Sequence, residues 1–229
     1  MGLRLTDQSR HAETSSYTST RQEGPGEELT AKRILDIAIA GIALIGVAPL
    51  LIVVAIAIRL QDGGQALFWQ RRYGLNGRTF NCFKLRSMVL DADTRLRHIL
   101  ETDPDARAEW EAEQKLTNDP RITPIGYFIR KSSIDELPQL INVLRGEMSI
   151  VGPRPIVESE IARYGEFYRD YCSVRPGITG LWQVEGRNNT SYPERVQLDA
   201  KYARSRSFWG DVGIMFRTIP AVLTSRGAR

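Results

Sequence analysis

The amino-acid sequence predicts a mostly helical α+β protein that is held at a membrane by one apolar segment. Three observations lead to this fold class. Residues 37–58 carry no charged side chain, two strand-like runs at 66–73 and 78–85 flank a short turn, and much of the remainder has apolar residues at helical spacing. Of the 229 residues, 42% are hydrophobic, so one domain with its own core can form beside the membrane segment.

The apolar segment is long enough to cross a bilayer. Residues 37–58 would extend about 33 Å as a straight helix, against a hydrocarbon core of roughly 30 Å. Pro49 lies near the middle, where it removes one backbone donor and leaves the carbonyl of Ile45 without its helical partner. Two arrangements are compatible with this proline: a single kinked span, or two short helices that meet at Pro49 and return to the same face.

The charges that follow the segment predict which side of the membrane holds the rest of the chain. Six Lys or Arg residues and a single acid, Asp62, lie between Arg59 and Arg86. The positive-inside rule therefore places the following domain in the cytoplasm. Acidic residues dilute the basic ones ahead of the segment, so the location of the N-terminus stays open.

Composition divides the chain into three parts. Residues 1–30 are rich in Ser, Thr, Gly and Glu without apolar periodicity, which predicts a disordered tail. Residues 31–60 form the membrane segment, and residues 61–229 form the domain. Within the domain, Asn76-Gly77 predicts a hairpin with a two-residue turn.

The remaining domain sequence predicts helices. Residues 89–117 have a charged helical pattern that is interrupted at Asp103-Pro104, and residues 134–145 have apolar side chains at helical spacing. The C-terminal run 208–227 fits either a core helix or a helix that lies in the membrane interface.

An acidic pair, Asp135 and Glu136, admits a structural and a chemical interpretation. Ser133 and Glu136 fit a capping box, and Pro138 is best tolerated in the first turn of a helix. Alternatively, neighbouring helical residues point about 100° apart, so one carboxylate could face a phosphorus atom while the other holds a cation. The two interpretations are compatible, because a helix start favours both carboxylates and phosphate.

Attack by an aspartate on an anionic phosphorus requires positive charge nearby. Lys84, Arg130 and Arg154 are the candidates in this sequence. A divalent metal would help, and Mg²⁺ favours one or two carboxylates together with substrate phosphates.

Several other classes of site are excluded by composition. Two cysteines and two histidines are too few for a disulfide scaffold, a zinc site or a Ser-His-Asp set. The sequence contains no glycine-rich phosphate loop of the Walker or dinucleotide type. It also lacks a basic groove with stacking aromatics, so nucleic acid is not expected as a partner.

Longer motifs show a family resemblance. They are "KRILDIAIA" ahead of the apolar segment, "FKLRSM" at 83–88, "DELPQLINVLRGEMSIVGPRP" at 135–155, "VRPGITGLWQVEGRN" at 174–188, and Asp199. In this order the chain resembles the small monotopic phosphoglycosyl transferases, the bacterial sugar transferase family that begins glycan assembly on a polyprenol carrier. The likeness runs from about residue 31 to about residue 226.

The resemblance implies an activity and roles for particular residues. The expected reaction transfers a sugar-1-phosphate from a UDP-sugar to undecaprenyl phosphate, with release of UMP, through a covalent intermediate on Asp135. Glu136 matches the residue that helps to hold Mg²⁺. Substrate- or phosphate-binding positions of the family match Lys84, Arg130, Arg154, Arg175 and Asp199.

The resemblance also implies a location. The membrane segment would be a re-entrant helix–break–helix at Pro49, with both termini in the cytoplasm and the catalytic domain on the inner membrane in contact with lipid. The family often has serine before this proline, and here the residue is Ala48, so the group that caps the break stays open. Downstream glycosyltransferases are possible partners.

The choice of sugar and one alternative function remain open. Overall likeness favours galactose, then glucose or another UDP-sugar, and no residue can be named as the sugar reader. A membrane-anchored scaffold without catalysis is the alternative from a different class. The intact acidic pair and its basic residues argue against that alternative.

Overall fold

The computed structural model describes residues 31–113, 116–185 and 190–223, and the predicted tail at 1–30 lies outside these ranges. The helices within them are α1 (Ala31–Asp62), α2 (Ala92–Thr102), α3 (Pro104–Glu113), α4 (Pro124–Lys131), α5 (Gln139–Arg145), α6 (Glu158–Tyr164), α7 (Tyr168–Cys172), α8 (Leu181–Glu185), α9 (Tyr192–Ser205) and α10 (Phe208–Leu223). The strands are β1 (Leu67–Tyr73), β2 (Thr79–Leu85), β3 (Ser149–Val151) and β4 (Gly177–Thr179). The mostly helical α+β class is confirmed.

The predicted hairpin is present, but its turn is longer than predicted. Strands β1 and β2 are antiparallel, and Tyr73 pairs with Thr79. Asn76 and Gly77 have positive φ angles of 57° and 68°, the left-handed conformation that Asn and Gly tolerate best. A 3-10 turn contains both residues, so the chain reverses over residues 74–78, and the two-residue turn is wrong.

Helix α1 contains Pro49 in its interior, so the predicted break does not interrupt the helix. One proline removes one hydrogen bond, and the other bonds of a long apolar helix can maintain it. In the most apolar 18-residue window of α1, only 11% is buried. A core helix of a soluble domain would be covered, so the exposed apolar surface indicates a membrane environment.

The N-terminal end of α1 is attached to the domain by polar contacts. Lys32 Nζ lies 2.6 Å from Asp211 Oδ2 in α10. The buried Asp36 carboxylate accepts hydrogen bonds from Ser149 Oγ at 2.8 Å and from the backbone N–H of Ile150 at 3.1 Å. These contacts attach the first turns of α1 to β3.

The C-terminal end of α1 contacts the same domain at other elements. Ile58 is buried in an apolar cluster with Leu85 of β2 and Ile129 of α4. Asp62 accepts two hydrogen bonds of 2.5 Å from the guanidinium of Arg86, just beyond β2. Both ends of the membrane helix are therefore attached to one domain.

The largest core cluster surrounds β3 and β4, which form a parallel pair. The sequence does not predict these two strands. Two glycines allow the strands to approach closely. A Cβ atom on Gly152 would lie 2.3 Å from the carbonyl oxygen of Arg175, and one on Gly177 would lie 2.1 Å from the Gly152 nitrogen. The fully buried Val143 and Met148 belong to the same cluster.

Two helices present apolar side chains to the outside. On α4, Tyr127 and Phe128 are exposed, and on α10, Phe216 and Ile219 are exposed, whereas Ile214 of α10 is buried. Helix α10 thus combines the two predicted possibilities, a face in the core and an exposed apolar face.

Replacement of Gly126 by alanine tests how closely α4 packs on the end of β2. The added Cβ would lie 1.8 Å from the backbone oxygen of Ser87. We expect Gly126→Ala to destabilise the protein by about 1–3 kcal/mol, because backbone must move to relieve the clash. Thermal unfolding in detergent should show a fall of about 2–10 °C.

The matched control is Gly213→Ala in α10, where an added Cβ meets nothing within 4 Å. Alanine is the better helix former by up to about 1 kcal/mol, so this variant should unfold at the wild-type temperature or slightly above it. Equal unfolding temperatures for the two variants would contradict the packing described for α4.

Candidate active site

The acidic pair lies outside regular α-helix. Asp135 and Glu136 belong to a 3-10 turn, Ile134–Glu136, between α4 and α5. Ser133 ahead of them is left-handed, with φ of 56°, and its side chain makes no capping hydrogen bond. The predicted capping box is wrong, because a capping residue usually has an extended backbone. Left-handed backbone at a non-glycine residue costs on the order of 1–3 kcal/mol and is typical of functional sites.

A cleft of about 1130 Å³ opens beside the acidic pair. Lys84 at the end of β2, Arg130 at the end of α4 and Arg154 after β3 all line it, together with Asp135 and Glu136. Residues that are far apart in sequence, on three different elements, therefore converge on one site.

Three further basic residues, not predicted from the sequence, also line the cleft: Arg72, Arg86 and Lys131. The hairpin pattern contains a signal for Arg72. Side chains alternate along a strand, and the register pairs Gln70 with Cys82, so Arg72 lies on the face that also carries Lys84. The neighbouring Arg71 lies on the opposite face.

Glu136 forms an ion pair with Lys84. The distance from Lys84 Nζ to Glu136 Oε1 is 2.6 Å. Burial by itself would raise the pKa of Glu136. The charges of Lys84, Arg154 and Arg72 and the hydrogen bond from Lys84 outweigh burial and lower this pKa to about 2. Glu136 is therefore ionised at neutral pH.

Asp135 has the opposite tendency. The residue is only 8% exposed, and burial raises its pKa to about 6. The charge of Glu136 also raises the pKa, whereas the charges of Lys84 and Arg130 lower it. The two adjacent carboxyl groups therefore have pKa values of about 6 and about 2. In active sites, such a difference allows neighbouring carboxyl groups to have different chemical roles.

The structure does not bring Arg175 and Asp199 to the cleft surface. Arg175 Nε donates a hydrogen bond of 2.8 Å to the carbonyl oxygen of Gly146. Asp199 is 1% exposed and accepts a 2.7 Å hydrogen bond from the hydroxyl of Tyr164. Burial raises the pKa of Asp199 to about 6. A direct role of Arg175 and Asp199 in substrate binding stays a prediction.

The carboxylates of the cleft suit a Mg²⁺ ion that is held by few protein ligands. Within the described ranges, no group of three or more His, Cys, Asp or Glu side chains is placed to hold a metal ion. Asp135 and Glu136 supply hard oxygen donors, which suit Mg²⁺ when phosphate oxygens complete its coordination. The donor set is compatible with a metal that arrives with a phosphorylated substrate.

The structure combines a cleft lined by carboxylates and basic side chains with an apolar helix that lies largely outside the core, an arrangement that suits phosphate-bearing ligands at a membrane. The chain belongs to the bacterial sugar transferase family, since the model described as "Bacterial sugar transferase" matches residues 27–225. The resemblance seen in the motifs is confirmed.

Individual relatives agree with the family assignment. The chain is 52% identical over 197 residues to an "Uncharacterized sugar transferase" of Haemophilus influenzae, covering 86% of this chain and 42% of the relative. It is 46% identical to "Exopolysaccharide production protein ExoY" of Rhizobium meliloti, covering 86% and 88%. It is 48% identical to the "Undecaprenyl-phosphate galactose phosphotransferase" of Salmonella typhimurium, covering 86% and 41%. The chain thus spans less than half of the Haemophilus and Salmonella relatives and most of the Rhizobium one.

The raised pKa of Asp135 predicts that Asp135→Asn stabilises the protein at neutral pH. Near pH 4, Asp135 of the folded protein is almost fully protonated and aspartate in the unfolded state is only about half ionised, so the stability cost is small. As pH rises toward about 6, the unfolded state ionises first, so wild-type stability falls, by up to about 3 kcal/mol. Asparagine does not ionise, so the variant should unfold at a higher temperature at about pH 8 and at a similar temperature near pH 4.

Thermal unfolding in detergent across this pH range checks the prediction, with Asp105→Asn as the control. Asp105 is exposed on α3 and does not line the cleft. A stability difference between wild type and Asp135→Asn that is independent of pH would contradict the assignment.

Proposed function

We propose that this protein transfers a hexose-1-phosphate, in the first instance galactose-1-phosphate, from a UDP-sugar to undecaprenyl phosphate and releases UMP. The observation that carries the proposal is the convergence of Lys84, Arg130 and Arg154 on an acidic pair inside one cleft. The name of the Salmonella relative supports the lipid acceptor and galactose, and the name of the Rhizobium relative supports a role in exopolysaccharide production. We place the reaction at the first membrane step of that synthesis. Glucose or another hexose is the alternative, because no described residue identifies the sugar.

The proposed chemistry proceeds in two displacements on phosphorus. A carboxylate oxygen of Asp135 bonds to the phosphorus that carries the sugar, and the bond from that phosphorus to the UMP oxygen breaks. UMP leaves with the electron pair. A phosphate oxygen of undecaprenyl phosphate then attacks the same phosphorus, and Asp135 is released as a carboxylate. A covalent intermediate lets one site accept a soluble donor and a lipid acceptor in turn.

The basic side chains provide the electrostatic support for this chemistry. An anionic nucleophile that approaches an anionic phosphate is repelled unless positive charge is already in place. Lys84 and Arg130 act on Asp135, and Lys84 and Arg154 act on Glu136. We propose that Glu136 also holds Mg²⁺, which would neutralise charge on the donor phosphates. In that state Lys84 would share Glu136 with the metal.

The cleft also has a surface that suits the lipid acceptor. Leu67, Phe68 and Trp69 of β1 line it, and they are exposed by 39%, 48% and 50%. Apolar side chains beside a phosphate-binding wall match a molecule with an anionic head and a hydrocarbon tail. Acceptor lipid could therefore reach Asp135 without leaving the membrane boundary.

We propose a re-entrant topology for α1, with the domain on the cytoplasmic face of the inner membrane. A helix of 32 residues is about 48 Å long and could cross a bilayer. However, Lys32 and Asp36 at one end and Ile58 and Asp62 at the other contact the same domain. A crossing helix would require that domain on both sides of the membrane. We therefore propose that α1, although uninterrupted, bends at Pro49 and returns to the face that it entered. The lipid-linked product would then be available to glycosyltransferases that act downstream.

Release of UMP tests the proposed reaction. Detergent-solubilised protein, incubated with UDP-galactose, Mg²⁺ and undecaprenyl phosphate, should release UMP, and a chelator should prevent this. We expect Asp135→Asn to lower the rate by about a thousandfold or more, since the nucleophile is lost. Glu136→Gln should also impair turnover strongly, whereas Asp105→Asn should not.

Normal turnover by folded Asp135→Asn protein, free of wild-type enzyme, would remove Asp135 as the nucleophile. No UMP release from wild type with any UDP-hexose would instead support the scaffold alternative. A panel of UDP-sugars in the same assay identifies the donor.

Cysteine labelling tests the topology. With Cys82 and Cys172 replaced, Ser15→Cys and Ser205→Cys should both resist a membrane-impermeant reagent added to intact cells and react after permeabilisation. Labelling of Ser15→Cys from outside would show that α1 crosses the membrane and would overturn the re-entrant proposal.

A further inference from the structure

Two adjacent arginines of β1 have different environments. Arg71 is exposed, and its Nη2 lies 3.3 Å from Thr79 Oγ1. The Arg72 side chain is only 12% exposed and lines the cleft. A buried guanidinium requires hydrogen-bond or charge partners, so its contacts indicate what holds it there.

Arg72 contacts the segment that carries Arg154. Arg72 Nη1 donates a 2.9 Å hydrogen bond to the carbonyl oxygen of Pro155, and Nη2 donates one of 2.7 Å to Gln70 Oε1. On the other side of Arg154, the N–H of Gly177 donates a 2.8 Å bond to the carbonyl oxygen of Pro153. The backbone is thus held immediately before and immediately after Arg154.

Glu160 provides the opposite charge that keeps Arg72 in place. Its Oε2 lies 3.6 Å from Arg72 Nη1 and accepts a 2.9 Å bond from the N–H of Val157. The Glu160 side chain is 16% exposed. Two positive charges, on Arg72 and Arg154, are close enough to repel each other, so an acidic partner is needed while the cleft holds no anion.

We propose that Arg72 is a positioning residue that holds Arg154 toward the phosphates of the donor, an inference that rests on the function proposed above. Glu160 keeps Arg72 in the position that this role requires. The planar fork of arginine is essential to the role, because Nη1 and Nη2 bind different partners. Lysine would keep the charge but has a single nitrogen and cannot reproduce the fork.

A double-mutant cycle tests the proposal, with steady-state UMP release as the assay. Arg72→Lys should lower kcat/KM for the UDP-sugar about tenfold, whereas Arg71→Lys should change it by less than about twofold. In an Arg154→Lys background the effect of Arg72→Lys should shrink to less than about threefold, because the residue it positions is already altered. In an Arg130→Lys background the full effect of about tenfold should persist.

Several outcomes would overturn the proposal. One is an equal effect of Arg72→Lys in both backgrounds, and another is an effect no larger than that of Arg71→Lys. Glu160→Gln provides an independent variant, and its effect on kcat/KM should also shrink in the Arg154→Lys background. An effect of Glu160→Gln on kcat/KM that is the same in the wild-type and Arg154→Lys backgrounds would contradict the proposal. Unfolding temperatures separate these effects from misfolding. Absence of UMP release from wild type would contradict the proposed function itself, so the two failures are distinguishable.

Discussion

Basic side chains favour ionisation of the buried carboxylate of Asp135 and limit the rise in its pKa. Burial and the charge of Glu136 oppose its ionisation, and Lys84 and Arg130 favour it. A phosphorylated ligand would add more negative charge to the same space, so the basic residues must be in place beforehand. This requirement explains why the cleft is built from several elements, since no single helix or strand could place this many charges around one side chain.

Helix α1 contacts the elements next to the basic residues of the cleft, which are β2, β3 and α4. The N-terminal part of α1 binds β3 through Asp36, and Arg154 follows β3 directly. The C-terminal part packs on Leu85 and Ile129, the neighbours of Lys84 and Arg130 in sequence. Each predicted phosphate-binding residue of the cleft therefore lies within a few residues of a contact with α1. The contacts that attach α1 to the domain therefore involve the same segments that carry the basic residues of the cleft.

Sequence could predict the parts of this site whose signals are local. An uncharged apolar run, the alternating hairpin strands and the acidic pair each occupy a short stretch, and the motifs that contain Lys84 and Arg154 are specific. The hairpin alternation places Arg72 on the face of Lys84, but its contacts with Pro155 and Glu160, 83 and 88 positions later in the chain, leave no local signal. The strands β3 and β4 have three residues each and leave no periodic pattern. Ser133 adopts a left-handed conformation that its local sequence disfavours. The 3-10 turn that holds the acidic pair could therefore not be predicted from the sequence pattern.

The proposed reaction depends on a covalent bond between Asp135 and the sugar phosphate. The most direct measurement is mass spectrometry of the enzyme mixed with UDP-sugar and Mg²⁺ in the absence of acceptor lipid, followed by peptide mapping. The account predicts an added hexose phosphate on the peptide that contains Asp135, and loss of this adduct when undecaprenyl phosphate is supplied. Rapid turnover by enzyme that never carries an adduct on Asp135 would contradict it.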